Sequence, residues 1–274
     1  MDRGRDWGDN CHGLPGEVKM LIALTRPVSL SIVRCELTHL ERQPIDLNLA
    51  RAQHMEYEAC LARLGCKVQR LPVALDLPDS VFVEDIAIVL DEIAVITRPG
   101  ATSRRPEIPA VAGALEAYRR LLHIEAPGTL DGGDVLRIGR DLYVGLSGRS
   151  NTAGVEQLRC LVEPFGYRVE GIMVSGCLHL KSAVTQVAEG TLLLNPEWVS
   201  PKRFGEMKII AVDPTEPHAA NALLLDRIAI LSAAYPATRK RLERKNIPFV
   251  VVDVSELAKA EGAVTCCSLI CEVE

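Results

Sequence analysis

Two short segments far apart in this chain carry the side chains of a thiol-based covalent catalyst: Cys-Leu-His-Leu-Lys-Ser at 177–182 and Thr-Cys-Cys-Ser-Leu at 265–269. A histidine can serve as general acid and base and a cysteine as nucleophile, provided the fold brings them together. Taken alone, the pair also fits a core histidine and inert packing cysteines. Other groups add to it. Residues 77–85 carry three acids, Asp79, Glu84 and Asp85, the last directly before an apolar run. They are either solvated turn acids or buried ones, and buried acids need a cation, a metal or an organic group such as guanidinium. Asp131 and Asp134 flank a glycine pair that is no phosphate loop, because no Gly-Lys-Ser/Thr follows and the next segment reads as a strand. Glycines there let backbone approach a ligand closely. Arg104, Arg105 and Arg149 follow strand-like runs, as exposed arginines or as a bidentate grip on a carboxylate. Nucleophile, base, cation-holding acids and anion-holding arginines together suit an amino acid with a guanidinium tail, whose positive charge would also lower the pKa of an attacking thiol.

The elements that position these groups must come from 274 residues, 48% of them hydrophobic, enough for a large core in one domain or two. The net charge of -5 argues against a general nucleic-acid or anionic-membrane binder. Nine cysteines without a CxxC pair fit a reducing, cytoplasmic setting, and no apolar run approaches the ~20 residues needed to span a bilayer. Residues 1–18 are polar, glycine-rich and aperiodic, which predicts a flexible tail before a single domain over 19–274, with a shorter product starting near Met20 as a further reading. Cys11-His12 in that tail offers too few ligands for a metal site.

Helical periodicity marks four segments: 46–64, 109–122, 151–164 and 236–246. Gly65 stands where a helix C-terminus turns left-handed, and Pro236 suits a first helical turn. Between them lie paired strand-like runs: 86–90 with 93–97, 135–138 with 142–146, 184–187 with 192–195, and 222–225 with 228–231. The unit reads strand, strand, helix, strand, with no clear helix after the third hairpin. Its recurrence predicts an α/β protein of repeated modules around a shared centre.

The chain resembles the dimethylarginine dimethylaminohydrolases, guanidino-group-modifying enzymes of the pentein superfamily. The resemblance runs from about Met20 to Cys271, through FVED at 82–85, ITRPGATSRR at 96–105, IEAPGTLDGGD at 124–134, GRSN at 148–151, LHLKS at 178–182, HAANALLL at 218–225 and TCCSL at 265–269. It implies an α/β-propeller of five pseudosymmetric ββαβ modules. By motif, Cys266 takes the place of the nucleophile, His179 that of the general acid and base, and Asp131 that of the residue orienting the histidine. Glu84 and Asp85 would face the guanidinium. Asp79 and the carbonyls of Leu37 and Ala260 would hold the substrate ammonium, and Arg104 and Arg149 its carboxylate. Cys267 points away from Cys266 if 264–270 is a strand, and is expected to pack. Arginine deiminases resemble the chain around the histidine but carry an aspartate two positions after it; Lys181 stands there instead, which favours a methylated guanidine.

The expected reaction is hydrolysis of asymmetric dimethylarginine, and of monomethylarginine, to citrulline and the methylamine through a covalent cysteine intermediate. No cofactor is expected; zinc on Cys266 and His179 would act as an inhibitor. The expected partner is a small molecule, without nucleic acid or membrane, and a homodimer is left open. Rival readings are a hydrolase of arginine or another guanidine, a non-catalytic ligand-binding propeller, and a structural zinc site.

Overall fold

The computed structural model describes residues 20–273; the expected tail, with Cys11-His12, lies outside them. Fifteen strands form five three-stranded sheets, all with one plan: a middle strand pairs antiparallel with an inner strand and parallel with an outer one. In the first sheet β1 (Met20–Thr25) is the middle strand and β2 (Cys66–Arg70) the outer one. The second contains β3 (Ala87–Val89), β4 (Ile93–Ile96) and β5 (Arg120–His123), and the third β6 (Val135–Ile138), β7 (Asp141–Leu146) and β8 (Arg168–Met173). The fourth contains β9 (Val184–Ala188), β10 (Thr191–Leu194) and β11 (Lys208–Ala211), and the fifth β12 (Ala222–Leu225), β13 (Ile228–Ser232) and β14 (Phe249–Val252). The last strand, β15 (Leu269–Val273), returns to supply the inner strand of the first sheet.

Each parallel pair needs a crossover, because a hairpin joins only antiparallel neighbours. α1 (Leu47–Arg63), α2 (Ile108–Leu115) and α3 (Thr152–Val162) supply three of them. The fourth sheet uses only a 3-10 turn over Pro201–Phe204, as its missing helical pattern predicts. After α4 (Leu180–Ala183), which precedes β9, the fifth crossover is α5 (Pro236–Glu243). Local chemistry sets these helix ends. The Asp46 carboxylate accepts the N–H groups of Asn48 (2.9 Å) and Leu49 (3.0 Å), a cap worth about 1 kcal/mol. Gly65 and Gly166 sit at φ 93° and 79° just beyond α1 and the turn that ends α3.

Two expectations need correction. α2 ends at Leu115 and not at 122, because Leu121 and Leu122 pair in parallel with Ala94 and Val95 as part of β5; the helical spacing ran on into a strand. Residues 264–267 form a turn, and the strand begins only at Leu269. Cys267 is still fully buried, with its thiol on the Ala263 carbonyl at 3.5 Å.

The apolar side chains divide into five clusters, one for each pair of neighbouring sheets and the helices over them. The inner strands β3, β6, β9, β12 and β15 therefore face one another around a central channel of about 270 Å³. Five similar sheets around an axis present five equivalent strand starts at one end of that channel, and residues preceding those strands converge there.

Candidate active site

The chemistry-bearing residues occupy corresponding places in the five modules. Glu84 and Asp85 precede β3, Asp131 and Asp134 precede β6, His179 precedes β9, Asn221 precedes β12 and Cys266 precedes β15. The pseudosymmetry gathers them at one end of the channel. Cys266, His179, Asp131, Asp85, Asp79, Arg104, Arg149 and Ala260 line one narrow cavity of about 20 Å³, room for about one water molecule. Glu84 lies on the channel side instead. The Leu37 side chain packs against the first apolar cluster, outside the cavity wall.

His179 is buried and held between two carboxylates: its Nε2 is 3.1 Å from Asp131 Oδ2 and its Nδ1 3.7 Å from Asp85 Oδ1. This closeness needs Gly133, since a Cβ there would lie 2.4 Å from Nδ1 and 2.7 Å from Asp85 Oδ1. Burial alone would lower the histidine pKa, but Asp85, Asp131 and Asp134 outweigh it and raise the pKa to about 9. Asp131 accepts the Gly100 N–H at 2.8 Å, and Asp85 accepts the Gly133 N–H at 2.9 Å and Arg104 Nη1.

Asp134, given no role in the sequence reading, ties the segments together. One oxygen accepts the Leu180 N–H at 3.0 Å, directly after His179; the other accepts the hydroxyls of Ser147 (2.6 Å) and Ser150 (2.7 Å). Ser150 Oγ in turn accepts the Asp131 N–H at 3.1 Å. Complete burial pushes the Asp134 carboxyl up to about 6, against the pull of His179. The only advance signal was its place beside the glycine pair.

Cys266 sits on a turn fastened from several sides. The Tyr57 hydroxyl of α1 lies 2.8 Å from the Val264 carbonyl and 2.7 Å from Ser268 Oγ. Asn221 pairs with Thr265 through both backbone (3.1 Å) and side chain (2.9 Å), and Thr265 Oγ1 donates to Glu84 Oε2 at 2.7 Å. Burial, then Glu84 and Asp85, raise the Cys266 pKa far above the usual thiol range, with Lys181 opposing them. Without a cationic ligand the thiol stays protonated, and a thiolate needs positive charge brought in.

Three expected substrate contacts take a different form. Glu84 is engaged at both oxygens, one by Lys181 Nζ and the other by Thr265, and forms part of the floor on the channel side. Arg104 spends its donors internally: on Glu107 (3.0 and 2.8 Å), on the carbonyls of Phe82 (2.8 Å) and Asp79 (3.2 Å), and on Asp85. At most one of its five N–H groups is left for a ligand. Asp79 accepts the Glu36 N–H through both oxygens at 3.2 Å, and burial pushes its pKa up to about 6. Arg149 donates from Nη2 to Thr38 Oγ1 at 2.9 Å and borders the cavity. For a metal ion, the ligand atoms grouped within 4.8 Å are those of Asp85, Asp131 and His179, without Cys266. Among the described residues, no helix is long and apolar enough to cross a membrane.

No protein-family model matches the chain. Its sequence is 42% identical over 252 residues to the N(G),N(G)-dimethylarginine dimethylaminohydrolase of Streptomyces coelicolor, covering 90% of this chain and 95% of that one. It is 34% identical over 226 residues to the enzyme of the same name from Pseudomonas aeruginosa, covering 82% and 89%. A crystal structure of a cysteine-to-serine mutant of the Pseudomonas enzyme complexed with citrulline superposes with a TM-score of 0.87 at 33% identity, over 92% of this chain and 99% of that one. The N-terminal domain of a cyanobacterial arginine dihydrolase shares the fold, with a TM-score of 0.81 at 20% identity over 91% of this chain and 97% of that one. With five matching sheets, a buried histidine between two carboxylates, and identity that runs nearly end to end, the chain belongs to the dimethylarginine dimethylaminohydrolase family.

Proposed function

We infer that this protein hydrolyses asymmetric dimethylarginine and monomethylarginine to citrulline and the corresponding methylamine, with Cys266 as nucleophile. The observation that carries the reading is the placement of Cys266 and the Asp131–His179–Asp85 cluster around one cavity, in a chain 42% identical to a dimethylarginine dimethylaminohydrolase.

In the resting site, with its pKa at about 9, His179 is protonated at neutral pH, and Cys266 is a neutral thiol. The substrate guanidinium docks against Asp85 and brings the positive charge that the thiolate needs, so the Cys266 proton leaves to solvent as substrate binds. Sulfur attacks the guanidino carbon; protonated His179 gives its proton to the methylated nitrogen, and the amine departs, leaving a covalent amidino-thioether. Neutral His179 then takes a proton from water, hydroxide adds to the same carbon, and collapse breaks the carbon–sulfur bond to release citrulline, the proton of the added hydroxyl going to the departing Cys266 thiolate and restoring the resting thiol. At the amino-acid end, Asp79 and the Leu37 and Ala260 carbonyls receive the ammonium, and Arg149, with one N–H of Arg104, the carboxylate.

The Lys181–Glu84 pair supports a methylated substrate. A bare guanidinium presents N–H groups on both terminal nitrogens, and a floor whose carboxylate is already paired leaves one set without a partner. The chemistry is assigned to side chains alone, and zinc at Asp85, Asp131 and His179 would block it. The test offers the purified protein asymmetric dimethylarginine, monomethylarginine and arginine in parallel and measures citrulline by mass spectrometry. Citrulline from the methylated substrates with little from arginine is expected; citrulline mainly from arginine would make it a deiminase, and none from any would favour a binding protein.

A further inference from the structure

Glu261 holds a backbone conformation that glutamate rarely adopts, with φ at 59°. Glu261 lines the cavity, and its side chain reaches a segment 223 positions earlier in sequence. There Oε1 accepts three consecutive backbone N–H groups, from Thr38 at 3.0 Å, His39 at 2.5 Å and Leu40 at 2.7 Å, and Oε2 also takes Thr38 at 3.0 Å. Successive N–H groups converging on one carboxylate form an anion nest, and bonds to a charged acceptor are the stronger kind.

Residues 38–40 are an exposed bend outside any helix or strand. The remaining ties of this stretch are to the amino-acid end of the site: the Glu36 N–H to Asp79, Ser103 Oγ to Glu36 Oε1 at 2.6 Å, and Arg149 to Thr38 Oγ1. Leu37 stands between these anchors, and Ala260 adjoins Glu261. The two carbonyls assigned to the substrate ammonium therefore lie on the two segments that this one carboxylate joins. A cavity of about 20 Å³ admits an arginine-sized ligand only if its surroundings give way; Glu36 and Glu261 line it, and the exposed bend 38–40 that lies next to the one and is gripped by the other is held by side chains.

We propose that Glu261 is a positioning residue for substrate binding: by gripping the N–H groups of 38–40 it sets the Leu37 carbonyl opposite that of Ala260, and so makes the enzyme select guanidines that carry an α-amino-acid end. The proposal rests on the assignment of those carbonyls under the proposed function.

Glu261→Gly and Glu261→Gln in the full chain test it. Glycine takes φ 59° without strain, so Glu261→Gly removes the grip and keeps the turn, while Gln keeps the side-chain size and one accepting oxygen but loses the charge and the second acceptor. Three readouts are compared with the unchanged protein: amide hydrogen exchange at 38–40, steady-state kinetics with asymmetric dimethylarginine, and inactivation by 2-chloroacetamidine, which has an amidine and no amino-acid end. Losing a charge-assisted grip should speed exchange and raise KM by about tenfold or more, with kcat and the chloroacetamidine rate changed less than about threefold. Unchanged exchange overturns the grip. Faster exchange with unchanged KM, or a chloroacetamidine rate that falls in parallel with dimethylarginine turnover, overturns the positioning role. Absence of citrulline with the unchanged protein defeats the functional reading and with it the selection for an amino-acid end; the exchange result still decides the grip.

Discussion

The two walls of the cavity are built on opposite principles. On the His179 wall, Asp85, Asp131, Asp134 and Arg104 are all buried, and their hydrogen bonds run to one another and to fixed backbone groups. The other wall includes Glu36 and Glu261, and behind it the exposed residues 38–40 are held by the carboxylate of Glu261 and the guanidinium of Arg149. Buried charge is tolerable only where every partner is in place, so the first wall cannot shift without exposing an unpaired ion. The second can open at the cost of a few solvent-exposed bonds. On the proposed function, the geometry of bond making would be fixed by the interior and substrate entry left to the surface.

Changes of similar size should therefore have unequal effects on the two sides. The largest effect comes from the group between them. Cys266→Ser removes the proposed nucleophile while both walls stay intact, and citrulline formation should fall by at least about 10³-fold with unchanged circular dichroism; turnover within tenfold of the parent would end the covalent reading. Next is a single methyl on the rigid wall. Gly133→Ala puts a Cβ 2.4 Å from His179 Nδ1, and with no slack in that wall kcat should drop by about 10²-fold. Near-normal kcat in that variant would show that the His179 wall can yield after all.

The third prediction concerns stability. His179 has its pKa raised to about 9 from an ordinary 6.5, so the folded state binds its proton more tightly than the unfolded chain. That stabilisation is complete below pH 6.5 and lost as pH rises through 9. Tm measured by differential scanning fluorimetry should decline by several degrees across that window, and His179→Gln should flatten the decline; an equal slope in the variant would refute the origin assigned to it. The smallest effect belongs to the exposed wall. Thr38→Val deletes the hydroxyl that receives Arg149, and should raise KM for dimethylarginine by about two- to fivefold with kcat unchanged, a size typical of one exposed bond. A loss of kcat as large as that from Gly133→Ala would erase the distinction between the walls.

Iodoacetamide labelling at neutral pH is a weak assay of Cys266. Burial and two carboxylates keep it protonated, so a cationic reagent such as 2-chloroacetamidine should react much faster than a neutral one.

Much of this molecule is determined along the chain. The Asp46 cap, Gly65, Pro236 and the hairpin runs mark elements that the structure contains, because capping, left-handed turns and strand alternation are local in cause. The recurrence of those elements predicted modules, and the resemblance their number. Where the sequence reading failed, two local signals competed: Leu121 and Leu122 satisfy helical spacing after 109, and only the pairing of β5 with β4 makes them a strand.

The site divides along the same line. Cysteine, histidine and clustered acids were legible as chemical types, and the resemblance proposed the roles of Cys266, His179, Asp131 and Asp85. Their states were not. Lys181 neutralises Glu84 from 97 positions away, Arg104 is consumed by Glu107 and two carbonyls, Asp134 ties three segments together, and Glu261 reaches 38–40 across 223 positions. Which acid is paired and which is free, and whether a thiol is charged, depends on burial and on neighbours brought from other modules. Sequence could name the candidate reacting groups, because their chemistry travels with the residue; only the closed ring of sheets could decide their charges and their freedom to move.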